Sequence, residues 1–69
     1  MIELDCLGRR CPLPVIELAK AIRAAAPGDV VRVLADDPAA ANDIAAWCRM
    51  KGHELLRSEG AAFDVRRVS

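Results

Sequence analysis

Apolar and polar positions alternate from Ile2 to Cys6, with Ile2, Leu4 and Cys6 on one side, and this period of two predicts a short strand. Leu7 to Arg10 breaks the alternation around Gly8 and reads as a loop. From Pro12 the period lengthens to that of a helix: Val15, Leu18, Ala19, Ile22, Ala25 and Ala26 fall on one face, with Glu17, Lys20 and Arg23 opposite. Pro27-Gly28-Asp29 ends this helix. Val30 to Ala35 is rich in β-branched residues and predicts a second strand, the most interior of the sheet. Asp37-Pro38 predicts the next helix start, with Asp37 as N-cap and Pro38 at the first helical position. Ala41, Ile44, Ala45 and Cys48 mark its buried stripe, Trp47 flanks it, and Gly52 stops it. His53 to Glu59 and Ala61 to Val68 predict two strands joined as a hairpin at Glu59-Gly60.

The resulting order is β-α-β-α-β-β. A right-handed crossover makes the first two strands parallel and lets both helices cover one face of a four-stranded sheet. No linker, repeat or low-complexity tract divides the chain, so residues 1–69 form a single domain. With Val31, Val33 and Ala35 facing the helices, Val30, Leu34, Leu56 and Val68 face outward as a candidate docking patch.

Size changes this picture toward a partner-dependent function. A chain of 69 residues buries only about 60% of its unfolded surface, which leaves little room for an enclosed substrate pocket and argues against a self-sufficient enzyme. Ten basic and ten acidic residues cancel. That balance removes the electrostatic footprint of a strong nucleic-acid or membrane-surface binder, although Arg9-Arg10 and Arg66-Arg67 are candidate local basic patches. No apolar run approaches a membrane span, and the chain opens on strand-like residues without a charged leader, so a cytoplasmic protein is expected. Three cysteines, Cys6, Cys11 and Cys48, suit a reducing compartment better than a disulfide scaffold.

The candidate chemistry lies in Gly8-Arg9-Arg10-Cys11-Pro12-Leu13-Pro14, where a loop turns into the first helix. Proline fixes φ near the helical value and lacks an N–H, so Pro12 and Pro14 both suit a first turn, with Cys11 at or next to the N-cap. A helix N-terminus favours an anion, and Arg9 and Arg10 act in the same direction. Both lower a thiol pKa from its ordinary value near 8.5 and so raise the fraction of nucleophilic thiolate.

Leu4-Asp5-Cys6-Leu7-Gly8-Arg9-Arg10-Cys11-Pro12-Leu13-Pro14-Val15 resembles the TusA/SirA/YedF family of small sulfur carriers, whose signature is Cys-Pro-x-Pro. The likeness continues through Val33-Leu34-Ala35-Asp36-Asp37-Pro38, Trp47-Cys48 and Gly52-His53-Glu54-Leu55. It implies an α/β fold, an α+β two-layer sandwich with a mixed four-stranded sheet. It also implies that Cys11 takes a sulfane sulfur as a persulfide from a cysteine desulfurase or rhodanese and passes it to an acceptor protein, with no cofactor besides that covalent sulfur. Arg9, Arg10, Pro12, Leu13 and Pro14 then support the site. The family serves tRNA thiolation, cofactor assembly and sulfur metabolism.

Other readings stand beside this one. Cys6 is either a second thiol that resolves the persulfide or pairs with Cys11, or a side chain that fills the end of the first strand. Arg9 and Arg10 are an ordinary solvated loop, or they stabilise the thiolate and meet an acidic partner. Cys48 is expected in the core. Cys6, Cys11, Cys48 and His53 make a nominal zinc set, but a helix length separates the first two from the last two, and His53 is expected to care for the second helix's C-terminus. The alternatives to a carrier acting with partner enzymes are a dithiol redox protein using Cys6 and Cys11, and a non-catalytic regulatory or RNA-binding module.

Overall fold

The computed structural model of the protein describes residues 2–10 and 13–68. Its elements are β1 (Ile2–Asp5), α1 (Leu13–Ala24), β2 (Val30–Leu34), α2 (Ala40–Lys51), β3 (Glu54–Glu59) and β4 (Ala62–Arg66). The expected β-α-β-α-β-β order and the mixed sheet are therefore present. The strands lie in the order β1-β2-β4-β3. β1 and β2 are parallel, with Ile2 opposite Val31 and Leu4 opposite Val33. β4 runs antiparallel to both β2 and β3. β2 is interior as expected, and it shares the centre with β4.

Period-two alternation separates the two faces of this sheet. Val31, Val33, Phe63 and Val65 form one cluster with Leu18 and Ile22 of α1 and Ile44 and Cys48 of α2. Both helices therefore pack on the same face, and the core is the single layer between them and the sheet. Val30, Arg32 and Leu34 face the other way, each only partly buried. The outward apolar patch expected there is broken. Arg32 stands between Val30 and Leu34 and grips Asp64 with two hydrogen bonds, Nε to Oδ1 at 2.8 Å and Nη2 to Oδ2 at 3.1 Å. The registers Glu3↔Arg32, Arg32↔Asp64 and Arg57↔Asp64 extend this pair into a row of alternating charge across all four strands.

Helix ends differ from expectation for local reasons. Asp37 does not cap α2: its Oδ1 accepts the Ala39 N–H at 2.8 Å, and its carbonyl accepts the Ala40 N–H at 2.9 Å. These bonds spend Asp37 on a turn that precedes the helix, which starts at Ala40. The start sets the buried stripe to Ala40, Ile44 and Cys48, spaced by four, and leaves Ala41 exposed rather than buried. Gly52 ends α2 as expected, in the left-handed conformation at φ 77°. α1 stops at Ala24, before Ala25 and Ala26 of the predicted face, and Ala26 is exposed. A side chain from the far end of the sequence intervenes there. The Arg67 guanidinium donates to the carbonyls of Ile22 at 2.9 Å, Arg23 at 3.3 Å and Ala25, at the end of the helix where the intrahelical bonds run out; Ile22 also accepts the Ala25 N–H at 3.2 Å. Arg66 pairs with Glu54 on the neighbouring strand. The second candidate basic patch is thus engaged within the fold.

Two outcomes follow from these contacts. Arg67→Ala removes these bonds from the carbonyls at the end of α1 and is expected to lower stability by about 1.5–3 kcal/mol in denaturant unfolding, the range for hydrogen bonds to a charged group. The second concerns pH. The guanidinium of Arg32, hydrogen-bonded to Asp64, holds that carboxyl below the usual carboxylate range, while its burial opposes the shift. A carboxyl with a depressed folded value contributes fully above its unfolded value, near 3.9, and the contribution is lost as pH falls through the lower folded value. The unfolding midpoint of the parent protein should therefore drop more steeply below about pH 4 than that of Asp64→Asn. Equal acid limbs would assign the loss to other carboxylates.

Candidate functional site

The two parallel strands end side by side, so the loop after β1 and the loop after β2 leave the same edge of the sheet. The first of these loops carries the candidate thiol. Cys11 and Pro12 lie outside the described residues. The chain on either side of them is held: the Leu13 N–H donates to the Arg10 carbonyl at 2.9 Å, and α1 begins at Leu13. Pro14 is buried in the first turn of α1, as its ring and fixed φ allow. Leu13, Arg9 and Arg10 are exposed.

The start of the loop is a sequence of backbone bonds. The Cys6 N–H donates to the Leu34 carbonyl at 2.8 Å and prolongs the β1–β2 ladder by one residue. Asp5 Oδ1 accepts the Leu7 N–H at 3.1 Å, and the Cys6 carbonyl accepts the Arg9 N–H at 3.1 Å, closing a tight turn. Gly8 occupies that turn at φ 78°, a left-handed conformation that other residues adopt at a cost. Its N–H donates to Asp36 Oδ1 at 2.8 Å. Sequence reasoning did not single out Asp36. Twenty-eight positions separate the two residues, and only the parallel strand pairing brings them together.

The structure separates the candidate thiols by environment. Cys6 is 2% exposed and belongs to the core cluster with Leu18, Val33 and Ala35. Burial pushes its thiol up; Arg9 opposes this, while Glu17 and Asp5 add to it. Those residues line a cleft of about 260 Å³ over Cys6. The surroundings of Cys6 suit a packed, neutral thiol better than an exposed partner for exchange. Cys48 is equally buried, its thiol also raised by burial. Neither is in a disulfide.

The His53 side chain is engaged away from the α2 carbonyls. Its Nδ1 accepts the Val68 N–H at 3.2 Å, and its ring lies 5.4 Å from that of Trp47. The N–H groups of Gly52 and His53 instead satisfy the Cys48 carbonyl. Among the described residues no three His, Cys, Asp or Glu side chains converge on a point where a metal ion could be held. No described helix is long and apolar enough to cross a membrane.

Residues 2–66 match the family model described as sulfurtransferase TusA. The crystal structure of a SirA-like protein from Desulfitobacterium hafniense is similar to this chain, with a TM-score of 0.73 and 32% sequence identity over 94% of this chain and 92% of that one.

Burial of the two described thiols has a measurable consequence. Under native conditions iodoacetamide should label neither Cys6 nor Cys48, and both should react once denaturant unfolds the chain. Peptide mass spectrometry reads the difference, and rapid native labelling of Cys6 would restore it as a candidate second thiol.

Proposed function

The chain belongs to the TusA sulfurtransferase family, as its match over residues 2–66 establishes, and on that premise we propose that it is a sulfur carrier whose Cys11 holds the sulfur in transit as a persulfide. The observation that carries the proposal is the family's Cys-Pro-x-Pro element at Cys11-Pro12-Leu13-Pro14, whose last two residues open α1. In the sequence Cys11 comes two positions before the first residue of α1 and directly after two exposed arginines, and both a helix N-terminus and nearby cations favour a thiolate. The neighbouring loop is exposed from Leu7 to Arg10, which suits a thiol that two larger proteins must reach in turn.

The transfer needs no oxidant. In the first step the Cys11 thiolate attacks the outer sulfur of a donor persulfide, a new S–S bond forms, the donor's S–S bond breaks, and the donor leaves as a thiolate. In the second an acceptor thiolate attacks the outer sulfur on Cys11 and leaves Cys11 as a thiolate again. A cysteine desulfurase or a rhodanese has the persulfide chemistry required of the donor. The acceptor is a protein serving tRNA thiolation, cofactor assembly or sulfur metabolism. The sulfur is cargo held covalently, so the carrier uses no separate cofactor. A reducing compartment such as the cytoplasm keeps the thiol available.

After incubation with a cysteine desulfurase and free cysteine, without reductant, the intact protein should gain the mass of one sulfur atom and lose it on reduction. Cys11→Ser should gain none. Equal gain by both proteins would remove Cys11 from the role, and a requirement for Cys6 would favour the dithiol reading.

A further inference from the structure

We propose that Asp36 is a positioning residue for the loop that carries Cys11, acting through its hydrogen bond to the Gly8 backbone. The inference rests on the carrier reading of Cys11 and adds to it a residue from a different loop.

The described bonds of the loop divide into local and distant ones. Leu7 and Arg9 donate to Asp5 and Cys6, partners within a few residues, and these bonds shape the turn without fixing it to the body of the protein. Gly8 reaches the loop after β2, where Asp36 Oδ1 accepts its N–H at 2.8 Å. The acceptor is a carboxylate, so the bond is charge-assisted and of the stronger kind. Its mount is firm on both sides. Ala35 is buried and donates its N–H to the Ala61 carbonyl at 2.9 Å, while Asp37 is committed to its own turn through the Ala39 N–H at 2.8 Å. Adjacent aspartates therefore have separate tasks, one closing the turn before α2 and the other reaching across to the thiol loop.

The tether is placed where it limits motion most. Cys6 anchors the loop's start in the core and Leu13 begins α1 at its other end. Gly8 lies between them in a left-handed conformation with open space where a side chain would stand, so no side-chain packing holds it there. Without Asp36 the middle of the loop would lose its one described bond to another loop. A reacting atom held in a narrow range of positions reacts faster than one that must first be ordered, because the ordering entropy has already been lost on folding.

Asn keeps an acceptor oxygen for Gly8 and removes the charge, whereas Ala removes both, so Asp36→Asn and Asp36→Ala separate tether from electrostatics. Two rates are measured on each variant and on the parent: sulfur loading from a cysteine desulfurase, and alkylation of Cys11 by iodoacetamide across neutral to alkaline pH, resolved by peptide mass. Asp36→Ala should load about tenfold more slowly, the equivalent of one net hydrogen bond, and its alkylation profile should move toward the ordinary thiol value near 8.5. Asp36→Asn should stay within about twofold of the parent in both. Parent-like behaviour of Asp36→Ala overturns the proposal, and so does an equal loss in Asp36→Asn. Slower loading with an unmoved alkylation profile also overturns it, since a lost partner contact or general destabilisation produces that pattern. If the parent itself loads no sulfur on Cys11, the carrier reading fails separately, and the alkylation profile, which needs no donor, still decides the tether.

Discussion

Parallel pairing of β1 with β2 is the constraint from which the rest of the architecture follows. A parallel pair aligns the C-terminal ends of its strands, so the chain must return along the full length of the sheet between them, and α1 is that return. The helix has one apolar stripe and buries it against the strands it connects, which places Leu18 and Ile22 over Val31 and Val33. The same alignment sends two loops out from one edge. Cys6 continues the ladder onto Leu34, and two residues later Gly8 meets Asp36. An antiparallel first pair would have put these loops at opposite ends of the sheet.

With a core only one layer deep, polar side chains carry much of the work of joining elements. Arg67 ties the end of the chain to the end of α1, Arg32 and Asp64 join the two central strands on the face the helices leave open, and His53 secures the backbone at Val68. These contacts explain why equal numbers of acidic and basic residues do not amount to a featureless surface. Of the two arginine pairs in the sequence, Arg66-Arg67 is engaged by Glu54 and helix carbonyls, whereas Arg9-Arg10 is left facing solvent beside the candidate thiol.

The cysteines illustrate how position divides one side-chain chemistry into different roles. A thiol inside an apolar cluster is held neutral, because its anion would lose hydration without gaining a partner. Burial raises both the Cys6 and the Cys48 thiol, with Arg9 opposing the rise at Cys6. That leaves the cysteine followed by proline in the Cys-Pro-x-Pro element as the thiol on which the proposed carrier function rests.

Element order, the two helix stripes, the hairpin at Gly60 and the cysteine motif were legible in the sequence because each depends on residues close together in the chain: a period of two or four, a proline at a helix start, a glycine at a stop. The errors were also local in origin. Asp37-Pro38 has the composition of a helix start, yet the Asp37 carboxylate closes a turn first, and the stripe of α2 shifts from Ala41 to Ala40. The sequence by itself determined the order of the elements, most of their buried positions and the place of the Cys-Pro-x-Pro motif. Only the tertiary structure decided that Arg67 would bond the carbonyls at the end of α1, that Arg32 would divide the outward apolar residues, and that Asp36 would hold Gly8. Each of those contacts joins residues dozens of positions apart, and no spacing along the chain encodes them; they exist because strand register sets which distant side chains become neighbours.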